Sequence, residues 1–309
     1  MSGRTVFSLA TGEQMKPRFG EVSLDILTDI LSNLNNRNKS NLENVSDLCG
    51  CLKESRIVEC VFDVCEELGL NPAVGYQAIE ILERFMAKYL EDLIRSQEGR
   101  GASSEDTERH QELIFQTLQH KFFLLVFSSV QIASKLDLYS NVVNNDIAMR
   151  FLQAAGYPSS KKQLLDSEIL ILKTLHFNLN VPNPLTYVET LLEVLGHNEV
   201  WVPVSDLHHL CVRVLQFIYL QRKTIYSSLL ISATGCSSPS QEQRAKFVSV
   251  SEDFMLLGVG VIAVSAFIHH SSSWEKVVEE LTGITGISGQ SIMEFACVTL
   301  MHITENTSQ

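Results

Sequence analysis

The stretch from Phe122 to Lys135 reads FFLLVFSSVQIASK, and the stretch from Phe254 to Ile268 reads FMLLGVGVIAVSAFI. A membrane-spanning helix needs about 20 predominantly apolar residues, so both stretches are too short to cross a bilayer. A helix that is apolar on every side, yet too short for a bilayer, is typical of the centre of a helical domain. The two stretches therefore predict two helical domains, each built around a buried helix.

The composition of the chain also favours helices. It has 309 residues, of which 45% are apolar, and it contains only 16 Gly and 7 Pro. These two helix breakers together average roughly 12% of protein sequences, which is more than this chain carries. At about 100–200 residues per domain, the length again predicts two domains. The fold class predicted from these observations is all-α.

The charge balance excludes some classes of function. The chain has 24 Lys and Arg against 36 Asp and Glu, a formal charge of −12, and it contains no run of five basic residues. This balance argues against direct binding of nucleic acid through the phosphate backbone. The N-terminus lacks the apolar core of a secretory signal, and the 7 Cys are an odd number. We therefore expect reduced thiols in an intracellular protein with no membrane attachment.

Apolar spacing and helix caps predict two sets of five helices. The predicted helices begin near residues 54, 72, 122, 145 and 161, and again near residues 184, 203, 254, 273 and 288. Corresponding starts are separated by roughly 130 residues. This spacing predicts a duplicated five-helix domain; a coincidence between independent helix boundaries is the alternative.

The predicted organisation has four parts. Residues 1–22 form a tail, and residues 23–182 hold an N-terminal helix followed by the first five-helix domain, with a polar loop insert at 97–109. Residues 183–304 form the second domain, with a loop insert at 227–251, and residues 305–309 are a short tail. Ser23 is the predicted N-cap of the first helix, and the Asn- and Ser-rich stretch from residue 33 to residue 44 is predicted to be a loop. Gly196 is placed at a left-handed helix end.

Several short motifs in this framework resemble those of the cyclin family. They are ILERFM at 81–86, IASK at 132–135, LLDSEIL at 164–170, LHFNLNVPNP at 175–184, SWEK at 273–276 and TGI at 282–284. The resemblance covers about residues 50–304. It implies two tandem cyclin boxes, each with five helices around a buried third helix.

The resemblance also implies partner-binding residues. In cyclins, a Lys at the end of the third helix and a Glu in the fifth helix grip a partner kinase, and these positions are Lys135 and Glu168 here. The alternative is that the two side chains pair with each other at the surface, which contributes only about 0–1 kcal/mol. Arg56 is a third candidate, although its position in the sequence does not align with that of the usual Arg of the family. Cys60 stands near the position of an inward Trp, which argues against substrate docking through the family's apolar groove.

The function implied by the resemblance is regulatory. A divergent branch of the family acts in meiotic crossover formation, which implies a non-catalytic adaptor located in the nucleus, on meiotic chromosomes, with the cytoplasm as a second location. The implied protein partners are a cyclin-dependent kinase, crossover factors, clamp-loader subunits and ubiquitin-conjugating machinery, with no direct binding of nucleic acid. The alternative is an activating subunit of a cyclin-dependent kinase in general cell-cycle control.

The remaining motifs predict regulation and no catalysis. Ser238 precedes Pro239, and both Ser96 and Ser240 precede Gln, so these three serines are candidate phosphorylation sites. Cys49-Gly50-Cys51 lacks a second pair of zinc ligands. The sequence contains no phosphate-binding glycine loop and no nucleophile elbow. We therefore expect no enzyme activity, no cofactor and no metal.

Overall fold

The computed structural model describes residues 19–45, 50, 52–98, 121–137, 141–180, 183–199 and 201–307, and all regular secondary structure within these ranges is helical. The described α-helices are α1 (Leu24–Glu43), α2 (Ser55–Glu67), α3 (Pro72–Glu98), α4 (121–136), α5 (Asn145–Ala154), α6 (Lys161–Thr174), α7 (Pro184–Asn198), α8 (Val204–Leu220), α9 (Arg222–Thr234), α10 (Gln241–Ser251), α11 (Phe254–His269), α12 (Trp274–Thr285) and α13 (Gly289–Thr307). A 3-10 turn at Ser271–Ser273 precedes α12. The predicted all-α class is confirmed.

The chain divides into two compact units, one containing residues 59–181 and the other containing residues 16–58 together with 182–309. Each unit has one of the two apolar stretches as its buried central helix. In α4 the residues from 125 to 134 are all buried, and in α11 nearly every residue from Phe254 to Ala266 is buried. The two central helices predicted from the sequence are confirmed.

The first unit packs α4 against its neighbours through both apolar and polar contacts. Phe127 stacks on Phe151 of α5 with 5.3 Å between the ring centroids, and Ser128 Oγ donates to Ser167 Oγ of α6 at 2.9 Å. Because these hydroxyl groups are fully or almost fully buried, a hydrogen bond between them avoids the cost of an unpaired polar group. The contact fixes α6 against α4.

In the second unit, α11 contacts α7, α8, α12 and α13. Gly260 of α11 allows one of these helices to approach closely, since a Cβ added there would lie 2.3 Å from Cδ1 of Phe295 in α13. Gly258 similarly faces Leu191 of α7, at 3.0 Å from an added Cβ. Both glycines therefore serve close packing of α11 against its neighbours.

Replacing Gly260 by Ala is expected to lower the free energy of unfolding by about 1–3 kcal/mol, because the buried ring of Phe295 would have to move. Gly283 of α12 is the matched control: it has nothing within 4 Å of an added Cβ. Gly283→Ala is therefore expected to raise stability by about 0.5–1 kcal/mol through helix propensity alone. Urea denaturation of both variants checks this, and the opposite order of stabilities would contradict it.

Helix α1 joins the second unit, whereas the sequence placed it with the first domain. Its buried residues Leu27 and Leu34 lie on the side that packs against α7. The hydroxyl of Tyr187 in α7 donates to the carbonyl oxygen of Leu34 at 3.1 Å. This packing removes apolar surface of both helices from water, which is the main favourable term in such an association.

Two predicted loops are helical in the structure. The predicted loop at 33–44 is wrong, since α1 continues to Glu43. The insert at 227–251 is also not a loop, because α9 and α10 occupy most of it. Ser240 begins α10 with a capping box, in which its Oγ accepts from the Gln243 backbone N–H and the Gln243 side chain accepts from the Ser240 backbone N–H. Such reciprocal capping lets a polar segment form a helix.

The insert predicted at 97–109 lies outside the described residues apart from its first two, which end α3. Gly196 lies inside α7 and not at a left-handed helix end. A Cβ at Gly196 would lie 2.5 Å from Cγ2 of Val204, so this residue also serves close packing. The left-handed glycines at described helix ends include Gly235 and Gly286, with φ of 62° and 73°.

No single helix within the described ranges is long and apolar enough to cross a membrane. Together, α10 and α11 would satisfy the length and composition of a span, but the two helices are bent by 73° at the break between them.

Candidate partner-binding site

Helix α6 carries one of the two residues that the sequence singled out for partner binding. The helix begins with a capping box, in which Ser160 Oγ accepts from the Gln163 backbone N–H at 3.2 Å. Leu164, Ser167 and Ile171 face inward, while Leu165 and Ile169 face solvent. The local sequence therefore sets both the start of the helix and the orientation of its two faces.

Lys135 and Glu168 are brought together in the structure. Lys135 Nζ at the end of α4 lies 2.5 Å from Glu168 Oε1 in α6, and the side chains are 41% and 8% exposed. The two groups bond to each other. This is the alternative to kinase binding that the sequence left open. Because Lys135 is substantially exposed, the pair contributes at most about 1 kcal/mol to stability. The ammonium of Lys135 remains accessible as a hydrogen-bond donor to a partner, while the carboxylate of Glu168 is a pure acceptor that is largely buried beside it.

Exposed apolar side chains accompany this ion pair. Leu165 and Ile169 are 37% and 44% exposed, and they lie three residues before and one residue after Glu168. Leu136, next to Lys135, is 42% exposed. Residues three and four apart are neighbours on a helix surface, so Leu165, Glu168 and Ile169 share one side of α6. We call Lys135, Leu136, Leu165, Glu168 and Ile169 the α4–α6 patch.

Arg56, the third candidate, is exposed on the first turn of α2. By its contacts it belongs to the second unit, whereas Lys135 and Glu168 belong to the first. Cys60, one turn further along α2, is partly buried. Burial and the nearby Asp63 raise the pKa of its thiol, which keeps this thiol protonated and unreactive near neutral pH.

The three candidate phosphorylation sites occupy different settings. Ser238 is exposed in the segment between α9 and α10, and the next residue, Pro239, is buried. Ser240 is exposed, but its hydroxyl oxygen is engaged as the N-cap of α10. The backbone of Ser96 is helical, within α3. Of the two serines described as exposed, Ser238 lies outside any helix, whereas Ser240 forms the start of α10.

A buried ionic cluster in the second unit was not predicted. Glu252, directly before α11, accepts from Lys53 Nζ at 2.7 Å and from Arg222 at 2.9 Å. The exposed fractions of these three residues are 5%, 2% and 6%. Burial acts to raise the pKa of Glu252, but Lys53 and Arg222 outweigh it and hold the pKa below its ordinary value. The one signal in the sequence is a pair of acidic residues directly before an all-apolar helix.

The end of α1 is attached beside this cluster. Asn38 Nδ2 donates to Asp253 Oδ1 at 2.8 Å, and Asn38 Oδ1 accepts from the Phe254 backbone N–H at 3.0 Å. Asn41 donates to the Glu252 carbonyl oxygen at 3.2 Å. Asp253 is also the N-cap of α11, so these contacts link α1 directly to the start of the central helix.

The segment that leads into α1 is attached at the other end of the helix. Gly20 N–H donates to the buried carboxylate of Glu193 at 2.8 Å, and the His197 ring lies 2.8 Å from the Val22 carbonyl oxygen. Phe19 contacts the ring of His208, with 5.4 Å between centroids. Described residues at both ends of α1 thus form hydrogen bonds with the rest of the second unit.

Within the described part of the chain, no group of three His, Cys, Asp or Glu side chains is placed to hold a metal ion. The exposed Lys135 of the α4–α6 patch, its largely buried partner Glu168 and the exposed apolar side chains around them suit recognition of another protein surface. They offer a central charged pair and a surrounding area that a partner could cover.

Comparison with known proteins agrees with this fold. The sequence profile described as Cyclin, N-terminal domain, matches residues 29–180, a range that contains both Lys135 and Glu168. Two full-length relatives also match, and both are called cyclin N-terminal domain-containing protein 1. The mouse (Mus musculus) protein is 44% identical over 286 residues, which cover 92% of this chain and 85% of the relative. The human (Homo sapiens) protein is 44% identical over 285 residues, covering 92% and 86%.

A helical fold with two buried central helices, together with these matches, defines the class: the chain belongs to the cyclin family. Within that family it is related to cyclin N-terminal domain-containing protein 1. Proteins of the family are regulatory, and the cyclin domain generally mediates interactions between proteins.

Proposed function

We propose that this chain is a non-catalytic regulatory adaptor that promotes crossover formation in meiotic recombination through protein partners. The observation that carries the adaptor role is the α4–α6 patch, where an ion pair at the positions used by cyclins stands among exposed apolar side chains. The meiotic role rests on the resemblance to the divergent meiotic branch of the family and on the relatives found at 44% identity.

The adaptor acts in the nucleus, on meiotic chromosomes, and reaches DNA through partners that bind it themselves. The formal charge of −12 supports indirect contact with DNA, because an acidic surface disfavours binding to the phosphate backbone. Its proposed partners are crossover factors, clamp-loader subunits and ubiquitin-conjugating machinery. The resemblance to cyclins also links the proposed activity to cell-cycle progression.

A second candidate function is activation of a cyclin-dependent kinase. The specific observation in its favour is that Lys135 and Glu168 meet within 2.5 Å at the positions through which cyclins grip the kinase. A Lys donor and a Glu acceptor can together bind both kinds of exposed backbone group on a partner helix. Phosphate transfer that rises in proportion to the amount of this chain in the complex would favour this function over the adaptor alone.

Introducing charges into the patch is expected to release its partner. With Leu165→Glu and Ile169→Glu combined, we expect affinity for the α4–α6 partner to fall by roughly 10-fold or more, since 1.4 kcal/mol corresponds to a tenfold change. The variant is expressed in place of the original chain in germ cells, and co-purified partners and crossover number are quantified. Ile26→Glu, at an exposed apolar residue of α1, is the control and is expected to change neither.

The charged pair is tested separately by Lys135→Ala combined with Glu168→Ala. Loss of partners in both patch variants supports the adaptor proposal. Normal crossovers with all partners retained in both patch variants would overturn it. Circular dichroism and thermal unfolding of the purified variants exclude a folding defect as the cause of any loss.

A further inference from the structure

The outer side of α13 carries a line of apolar, sulfur-containing side chains. Met293 is 37% exposed, Met301 is 46% exposed, and Cys297 between them is also exposed. The three residues are spaced four apart, so they are successive neighbours along one side of the helix. The inward side of the same helix holds Ile292 and Phe295, which are buried. Helix α13 is therefore apolar on its solvent side as well as on its core side.

The neighbouring helix α9 packs against α13 and carries one exposed large apolar side chain, Ile231. Ser232 Oγ donates to Glu294 Oε1 at 2.6 Å, and the hydroxyl of Ser228 lies 2.9 Å from His302 Nε2, so α9 and α13 run antiparallel in contact. Ile231, the residue before Ser232, is 41% exposed. We call Ile231, Met293, Cys297 and Met301 the α9–α13 face. Methionine side chains are flexible and polarizable, which suits a surface that adapts to apolar partners.

The charge along α12 and α13 is mainly negative. Between Trp274 and Thr307 the chain contains five Glu residues and one Lys, and α13 itself has no Lys or Arg. Glu294 lies next to Met293, and Glu305, which is 60% exposed, lies one turn beyond Met301. An apolar line bordered by carboxylates complements a helix whose apolar side is flanked by Lys or Arg.

We propose that the α9–α13 face binds a basic amphipathic helix of a partner protein. A second copy of this chain is the less suitable occupant, because a symmetric dimer would bring the same acidic surface against itself. The proposal goes beyond the adaptor function, since it gives the second unit a binding surface of its own in addition to the α4–α6 patch of the first. An adaptor with two separate surfaces can hold two proteins at once.

The probe for this proposal is a synthetic 14-residue helix of Leu and Lys with one apolar side, titrated into the full-length chain. The chain is labelled with ¹³C at its methionine methyl groups, and each signal is assigned by Met→Leu substitution. Among the 7 methionines, we expect the signals of Met293 and Met301 to shift, while those of the buried Met86 and Met255 stay fixed. A Leu/Glu helix of the same length is the matched probe and is expected to leave all signals unchanged.

Cysteine reactivity gives a second readout on the same complex. We expect the Leu/Lys helix to slow the alkylation of Cys297 at least 10-fold, measured by peptide mass spectrometry. Cys236 is also exposed, beyond the end of α9, and its alkylation is expected to be unaffected. Met293→Glu combined with Met301→Glu should weaken binding 10-fold or more, whereas the conservative double Leu variant should retain it.

Any one of four results would overturn the proposal. The first is equal binding of the Leu/Glu helix, and the second is a shift confined to methionines other than Met293 and Met301. The third is a dimer of the free chain, seen by sedimentation, that dissociates in the double Glu variant, since the face would then be covered by a second copy. If Leu165→Glu with Ile169→Glu abolished Leu/Lys binding, the α4–α6 patch would be the site, and the proposed adaptor function would stand without this inference.

Discussion

Replacing Glu252 by Gln is expected to lower the free energy of unfolding by about 3–5 kcal/mol, because it leaves the buried cations Lys53 and Arg222 without their shared carboxylate. The substitution keeps the size of the side chain, so it tests the charge and not the packing. Urea denaturation followed by circular dichroism measures the change. The expected loss is a large part of the 5–15 kcal/mol that typically separates folded from unfolded protein.

Two variants control this experiment. Glu242→Gln removes the carboxylate of an exposed pair, since Glu242 and Lys246 are 78% and 76% exposed, and the expected cost is no more than about 1 kcal/mol. Lys53→Met removes one cation but leaves Arg222 paired with Glu252, so it should cost less than Glu252→Gln. If all three variants lowered the free energy of unfolding by the same amount, the imbalance of buried charge would not be the cause of the loss in Glu252→Gln.

The same cluster predicts how stability depends on pH. The pKa of Glu252 is lower in the folded chain than its ordinary value, so the unfolded chain takes up a proton at this group first as the pH falls. The contribution of Glu252 is therefore fully present above a pH of about 4.3, the usual pKa of Glu, and is lost as the pH falls further through the folded-state pKa. In the Glu252→Gln variant this part of the acid sensitivity should disappear.

The second large effect is expected in α1. Replacing Leu27 and Leu34 by Ala should cost about 2–5 kcal/mol for each residue, because both side chains are buried, at 2% and 5% exposure. The control is the matched double variant Ile26→Ala with Ile30→Ala, whose side chains are 54% and 38% exposed. Removing those mostly exposed side chains should have a much smaller effect.

Hydrogen exchange of the α1 variants also reports which unit depends on this helix. We expect faster amide exchange in α7 and α11, which α1 contacts, and unchanged exchange in α4 and α6 of the first unit. Faster exchange in α4 and α6, with α7 and α11 unaffected, would instead support the domain division that the sequence predicted. Hydrogen exchange measures the local opening of each helix. The comparison between the two units therefore holds even if global unfolding is not two-state.

The candidate site was partly predictable. Lys135 and Glu168 were identified through a family resemblance, but their contact was only an alternative at that point, because it depends on how α4 packs against α6. The exposure of Leu165 and Ile169 could not be predicted from the sequence. An apolar residue on a helix is assigned to the core unless the neighbouring helices are known. The cluster of Lys53, Arg222 and Glu252 was missed because its members lie far apart in the chain.

The sequence by itself determined the all-α class and the two central helices, because the signals for these are local. Uninterrupted apolar runs mark α4 and α11, and Asn183 followed by Pro184 marks the start of α7, where the Asn183 side chain accepts from the Leu185 backbone N–H. Only the tertiary structure decided the path of residues 33–44. Asn38 and Asn41 favour loops by local preference, but here they bond to Asp253 and Glu252, more than 200 residues away. Those long-range hydrogen bonds form only when the second unit is folded. No local sequence pattern could therefore predict the path of residues 33–44.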